Sequence, residues 1–326
     1  MIAADRLVRT TRTPREARPT PIVPLSVATT AMGGRLVVHL AAAVDDERAR
    51  HDARRLLSRI GRWSDRLSRH LETSELSALN ADPRSSVPVG PTLGAVLWAG
   101  LEAADESDCL VDITLLDARL DAEASPSTVL PSSGPRTWSL VSGPRRTVVV
   151  HRPLGVRFDL GGVAKGWIAD RGLELLSSWP SAVVDADGDL AVRCAPGHIW
   201  AVAVDDPRTD GATLAILHLS APRTGWPVRW GVATSGTSVH RWRHGDSVRH
   251  HLIDPRTGAA ALTDVVQATV VCGSAFRAEA LAKAAVIAGT VDGLALLERA
   301  GVWGAVILTQ RGETLALPQT LTLLAE

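Results

Sequence analysis

Lysine is nearly absent from this chain. Of its 35 basic residues two are lysines, Lys165 and Lys283, and the rest are arginines. A compact ammonium kept at two positions raises the question of what it does there that a planar guanidinium cannot. Excess charge of either sign is also missing, since 35 acidic residues balance the basic ones. That balance argues against a basic face for nucleic acid or anionic lipid. No apolar run is long enough to span a bilayer, so no membrane insertion is expected. The three cysteines (Cys109, Cys194, Cys272) are widely spaced and form no CxxC. They read as reduced, buried thiols of a cytoplasmic protein rather than a zinc site or disulfide framework. The N-terminus shows neither an apolar signal core nor a cysteine that could carry a lipid. Residues 1–24, where Arg6, Arg9, Arg12, Arg15 and Arg18 alternate with Thr and Pro, read as a disordered tail.

What is present supports a sizeable core, with 45% hydrophobic residues over 326 positions. The expected domain covers residues 25–326. Arg35–Ala41 has the texture of a strand. Asp45 to Ile60 and Thr92 to Ala104 have helical spacing. Residues 121–147, rich in Pro, Ser and Gly, read as a loop or insertion. Beyond them, strands are expected at 147–150, 155–160, 181–185, 200–204, 231–236, 250–253 and 267–272. Helices are expected over 164–177 and 276–288, and a hairpin around Arg311-Gly312 closes the chain. Strand meanders broken by a few long helices predict an α+β fold with mixed or antiparallel sheets.

Two segments concentrate polar chemistry at turns. In Phe158-Asp-Leu-Gly-Gly-Val-Ala-Lys-Gly-Trp167 a strand-like run ends, two glycines follow, and a helix begins with Lys165 in its first turn. Gly161 and Gly162 let backbone approach an anion closely, and a helix N-terminus adds partial positive charge. The sequence lacks the GxxxxGK[ST] pattern, so this is either an anion cradle of its own kind or an ordinary strand-to-helix turn. In Val232-Ala-Thr-Ser-Gly-Thr237, Thr234 and Ser235 offer hydroxyls beside an open glycine. His250 and His251 follow, just before an Asp254-Pro255 turn. His251 is either a structural residue or a general base near neutral pH. Glu279 and Lys283 stand four apart on one helical face, the spacing of a routine surface ion pair.

Taken in order, these motifs resemble the ApbE family of FAD:protein FMN transferases. The resemblance runs through Ala31-Met-Gly33, Leu67-Ser-Arg69, Ser74-Glu-Leu-Ser-Ala-Leu-Asn80, Leu110-Val-Asp-Ile-Thr114, Asp159 to Gly166 (close to the family's DLGGIAKG), Asp185 to Leu190 (DAGGDL), Ala233 to Gly236 (ATSG) and His251 to Gly258 (HIIDPRTG). It implies an ApbE-like, T-fold-related architecture. It also implies that FAD is a substrate whose FMN half passes to a Ser or Thr hydroxyl of an acceptor flavoprotein, a subunit of an electron-transfer system, with release of AMP.

The site residues implied for FAD are Met32, Leu110, Val111, Asp112, Asp159, Gly161, Gly162, Lys165, Thr234 and Ser235, with Leu252 or Ile253 lining the flavin pocket. His251 would take the acceptor's proton. The Ala164 carbonyl would be one Mg²⁺ ligand. The family's two side-chain ligands, an Asp and a Thr four apart, fall here on Glu279 and Lys283, which points to a weakened Mg²⁺ site or to an ammonium standing in for part of the metal's charge. Asp187 stands where the family pattern has Gly, and Thr237 where an Asp often follows ATSG. The alternatives to a transferase are an FAD pyrophosphatase, or a non-catalytic FAD-binding protein with a degenerate metal site.

Overall fold

The computed structural model describes residues 20–21, 24–124, 134, 137–143, 147–222, 225–244 and 247–324. Its strands in chain order are β1 (Thr20–Pro21), β2 (Leu25–Ala31), β3 (Gly34–Leu40), β4 (Ser86–Val89), β5 (Ser139–Ser142) and β6 (Val148–His151). They continue with β7 (Ala182–Ala186), β8 (Asp189–Cys194), β9 (His198–Asp205), β10 (Thr213–Ser220), β11 (Val228–Gly236) and β12 (Arg241–His244). The last are β13 (Ser247–His250), β14 (Ile253–Asp254), β15 (Ala259–Ala260), β16 (Val265–Cys272), β17 (Gly304–Thr309) and β18 (Thr314–Ala316). The helices are α1 (Glu47–Leu67), α2 (Glu75–Ala81), α3 (Pro91–Glu106), α4 (Leu116–Glu123), α5 (Ala164–Leu175), α6 (Ala275–Ala288) and α7 (Thr290–Arg299).

One eight-stranded sheet, in the order β18-β17-β16-β11-β8-β7-β3-β2, organises the molecule, and every pairing in it is antiparallel. Alternation along its strands feeds two cores. On β7, Ala182, Val184 and Ala186 pack into the larger core shared with the helices, while Val183 turns to a smaller one. The smaller core also takes Val192, Trp200, Leu217 and Leu219, and so joins the large sheet to the three-stranded sheet β1-β9-β10. On the helical face, α1 buries Ala49, Ala53, Leu56, Leu57, Ile60, Ser64 and Leu67, an amphipathic stripe capped by Asp46, which accepts from the Ala49 N–H at 2.9 Å. Helix α6 is apolar nearly all round because β11, β16 and α5 enclose it. Its approach depends on small residues: a Cβ on Gly231 would lie 2.0 Å from the Ser274 carbonyl carbon.

The α+β reading with antiparallel sheets holds, and most expected elements form close to their expected bounds. Three differ. Residues 155–160 form no strand, because the Asn80 side chain takes up the backbone there: its Nδ2 donates to the Phe158 carbonyl at 2.8 Å, and its Oδ1 accepts from the Phe158 N–H at 2.8 Å. The expected strand over 250–253 is broken at His251 and Leu252, between β13 and β14. Part of the expected 121–147 loop is ordered into α4 and β5, the latter paired with β6. Within the expected tail, Thr20–Pro21 pair parallel with β9, and residues 1–19 lie outside the described set.

Candidate active site

The extended segment before α5 positions the first group of site residues. Pinned by Asn80 and by the Asp159 N–H donating to the Ile113 carbonyl at 2.7 Å, it delivers Asp159 to the wall of a cleft. The chain then turns at Gly161-Gly162 and enters α5 at Ala164. Helix α5 lies hard against α6: a Cβ on Gly166 would come within 2.6 Å of the Ala275 carbonyl oxygen and the Phe276 backbone. This closeness lets the Gly166 N–H donate to Glu279 Oε2 at 2.8 Å. Asp170 fixes the same interface by accepting from the Ser274 hydroxyl and from the Ala275 and Phe276 N–H groups at the start of α6.

Lys165 reaches from the first turn of α5 to Asp189 at the start of β8, Nζ to Oδ2 3.0 Å, and its ammonium also donates to the Asp187 carbonyl at 3.5 Å. Burial opposes the ammonium, yet Asp189, Glu279 and Asp187 outweigh it and hold Lys165 firmly charged. Burial raises the Asp189 and Glu279 carboxyls above the usual range, with Asp189 adding to the rise of Glu279 and Asp187 and Asp185 to that of Asp189. The β7–β8 turn holds Asp187 at φ 59°, a left-handed conformation suited to glycine. Its carboxylate accepts from the Arg35 N–H at 3.3 Å and packs on Gly34, where a Cβ would lie 2.2 Å from Asp187 Cγ. Met32, at φ 56°, heads the adjoining β2–β3 turn and lines the same cleft.

The residues expected to hold Mg²⁺ do meet: Ala164, Glu279 and Lys283 all line the cleft. They do not fit a divalent cation. Mg²⁺ takes oxygen ligands in near-ideal octahedral geometry. Here one Glu279 oxygen is taken up by the Gly166 N–H, and the third position carries an ammonium that cannot coordinate. Lys165 adds a second ammonium, and among the described residues no group of three His, Cys, Asp or Glu side chains could hold a metal.

His251 lies at the break between β13 and β14 and lines the cleft with Leu252. Its ring meets His240 edge-on, with centroids 5.3 Å apart, and its Nδ1 is buried without a hydrogen-bond partner. Burial, then the charges of Arg119 and Lys283 and the neighbouring His240 and His250, push its pKa down to about 3. The imidazole is thus neutral at pH 7 and able to accept a proton. His250 is held elsewhere, with Nε2 against the Ala261 carbonyl at 3.0 Å and Nδ1 accepting from the Leu252 N–H at 3.3 Å.

Other expected residues divide between cleft and core. Thr234 and Ser235 line the cleft, with Thr234 Oγ1 2.8 Å from Thr269 Oγ1. Leu110, Val111 and Asp112 are buried, Val111 inside the large core, and Asp112 accepts from the Thr114 N–H and hydroxyl. Ile253 packs with Leu115, Ala118 and Ala122 in a small separate core, so Leu252 rather than Ile253 faces the cleft.

One group was not legible in the sequence. Glu123 Oε1 accepts from Arg69 Nη2 at 2.6 Å and from Arg119 Nε at 2.7 Å, and both arginines stand 3.9 Å from Asp159. Burial alone would raise the Glu123 carboxyl, but the two guanidiniums hold it below the usual range. Arg119 Nη1 also donates to the His251 carbonyl at 3.2 Å, and its guanidinium lies 5.8 Å from the Trp242 ring centroid. The network therefore ties α4 to the histidine. The Leu67-Ser-Arg69 motif was the only hint of it, since its members are far apart in sequence.

The open cleft that these groups share with residues of β9, among them Trp200 and Val202, measures about 1980 Å³. A model of the ApbE family matches residues 32–307. The FAD:protein FMN transferase of Treponema pallidum is 35% identical over 157 residues, covering 44% of this chain and 41% of the relative. The chain's match thus spans about two fifths of the length of that curated relative. Among solved structures, the ApbE protein of Thermotoga maritima superposes with a TM-score of 0.79 at 22% identity, over 93% of this chain and 100% of the other. The apo flavinyl transferase ApbE of Pseudomonas stutzeri gives 0.74 at 22% identity, over 92% and 96%. At that identity the superpositions establish the fold.

Proposed function

The chain belongs to the ApbE family, and from that premise we propose that it transfers the FMN half of FAD to a Ser or Thr hydroxyl of an acceptor flavoprotein and releases AMP. The observation that carries this reading is the arrangement of three elements around one cleft. The Gly161-Gly162 turn and Lys165 offer an anion seat, His251 offers a neutral base, and Met32, Thr234, Ser235 and Leu252 supply walls. Pockets for small ligands measure about 300–1,000 Å³. This cleft exceeds that range and has room for a dinucleotide and for a segment of a second protein.

In this reading the diphosphate lies on the Gly-Gly turn, within reach of Lys165. The acceptor oxygen attacks the FMN phosphorus, the bond to the AMP oxygen breaks, and AMP leaves. The hydroxyl proton passes to His251. In the free protein burial, and then the charges of Arg119 and Lys283, disfavour a proton on this ring. A bound diphosphate offsets both charges, so the base strengthens once FAD is seated. Three free thiols, two of them buried, favour a reducing compartment such as the cytoplasm, and no helix among the described residues is long and apolar enough to cross a membrane. The acceptor is a subunit of an electron-transfer system.

The test is chromatographic detection of AMP from FAD, with and without candidate acceptor subunits. Acceptor-dependent AMP release supports transfer. AMP and FMN released at the same rate without any acceptor would make the protein a pyrophosphatase, and no release at all would make it a binder.

A further inference from the structure

Helix α6 carries Lys283 one turn beyond Glu279, on the same face. From there the side chain crosses to the turn before α5. A Cβ on Gly162 would lie 2.5 Å from Lys283 Nζ, 2.8 Å from its Cδ and 3.2 Å from its Cε. The lysine therefore lies along the open face of a residue that has no side chain. Lys165, oriented by Asp189 at 3.0 Å, lines the same cleft. Burial pushes the Lys283 pKa below its ordinary value and Arg119 adds to that, while Asp159, Glu279 and Asp112 oppose it with attractive charge.

Composition adds an independent observation. The chain has two lysines among 35 basic residues, and both stand in this one cleft. An ammonium is a compact point charge with three rotatable donors, whereas a guanidinium is a planar fork. Above a glycine, in the space that a Cβ would fill, the compact group is the one that fits.

We propose that Lys283 is a phosphate-binding residue that takes the place of a divalent cation: Lys165 and Lys283 grip the ligand's diphosphate from two sides above the Gly161-Gly162 turn. This rests on the reading of the cleft as an FAD site. Two tethered ammoniums carry the same charge as one divalent ion. They need no metal, and they repel one placed between them. The lysine at position 283 thereby becomes part of the binding machinery rather than a lesion in it.

Flavin fluorescence titrations of the full chain decide the matter, with FAD and with riboflavin (which has no phosphate), in EDTA and then in excess Mg²⁺. Wild-type protein should bind FAD equally well in both buffers. Lys283→Met should lower FAD affinity about 10- to 100-fold, the loss expected for a hydrogen bond to a charged group, and leave riboflavin affinity unchanged. The unchanged riboflavin affinity also shows that the variant is folded. The proposal is overturned if wild-type FAD binding needs Mg²⁺, if Lys283→Met binds FAD as wild type does, or if both ligands lose affinity equally. Riboflavin binding that survives those failures leaves the flavin-site reading standing. Wild-type protein that binds neither ligand in either buffer sinks both.

Discussion

Alanine at Gly162 tests the geometry of the anion seat without touching a charged residue. The new Cβ would lie 2.5 Å from Lys283 Nζ, and ordinary contact begins near 3.4 Å. The ammonium must therefore retreat by ~1 Å, where the obstructing atoms are the far end of a flexible side chain. Gly162 is not among the glycines with positive φ, so alanine adds no backbone strain. The expected cost to stability is small, within ~0.5 kcal/mol. Binding should respond more. At an effective dielectric of ~20, moving a unit charge from ~4 to ~5 Å away loses ~0.8 kcal/mol, about fourfold for one phosphate charge and about fifteenfold for two. The assay is a paired titration with FAD and riboflavin, alongside a thermal melt. Gly166→Ala is the contrast. Its Cβ would meet α6 backbone at 2.6 Å, which cannot retreat without separating the helices. It should cost ~1–3 kcal/mol, although alanine alone would favour the helix by up to ~1 kcal/mol. The reasoning fails if Gly162→Ala binds FAD like wild type, or if it melts as early as Gly166→Ala.

Lys165→Ala should weaken FAD at least 10-fold while sparing riboflavin, read by the same titration, because only FAD places a diphosphate beside that ammonium. His251→Ala should keep FAD affinity and lower the rate of acceptor modification by ~10²–10⁴. His250→Ala, whose ring bonds to Ala261 outside the cleft lining, should lower it far less. Between pH 6.5 and about 3 the unfolded chain binds a proton on His251 that the folded chain refuses. That contribution to stability is complete above pH 6.5 and is lost as pH falls through this window. Denaturant melts of His251→Asn should accordingly show a shallower acid loss than wild type.

Much of the fold was legible because local signals and tertiary contacts agree. The stripe from Ala49 to Ile60, the apolar α6 and the start of α5 at Ala164 follow from periodicity or from the Gly-Gly turn, while α1 runs on to Leu67, beyond its expected end at Ile60. The segment 155–160 misled because its alternating pattern was satisfied by the side chain of Asn80, far away in sequence, rather than by a neighbouring strand. In the site, Lys165, His251 and Asp159 line one cleft together with Lys283, whose spacing from Glu279 alone reads as a surface ion pair although Glu279 is buried. Ile253 and Val111 turn into cores because β14 and the loop after α3 face inward there, a choice that the motif pattern does not encode. The partnership of Lys165 with Asp189 and the bridge from Arg69 through Glu123 to Arg119 depend on contacts between distant segments, which no window along the chain reveals. The departures from the family pattern became interpretable only in three dimensions. Asp187 shows the left-handed backbone that a glycine would supply, and Lys283 lies over Gly162.

The central claim is that this cleft moves FMN from FAD onto a protein hydroxyl, with His251 as the base. The most direct measurement is intact-mass and peptide mass spectrometry of a candidate flavoprotein subunit co-expressed with the wild-type chain or with His251→Ala. One FMN phosphoester on a Ser or Thr of the subunit is expected with wild type, and little or none with His251→Ala. An undiminished adduct with His251→Ala, or an unmodified subunit while FAD is cleaved to FMN and AMP, would contradict that claim.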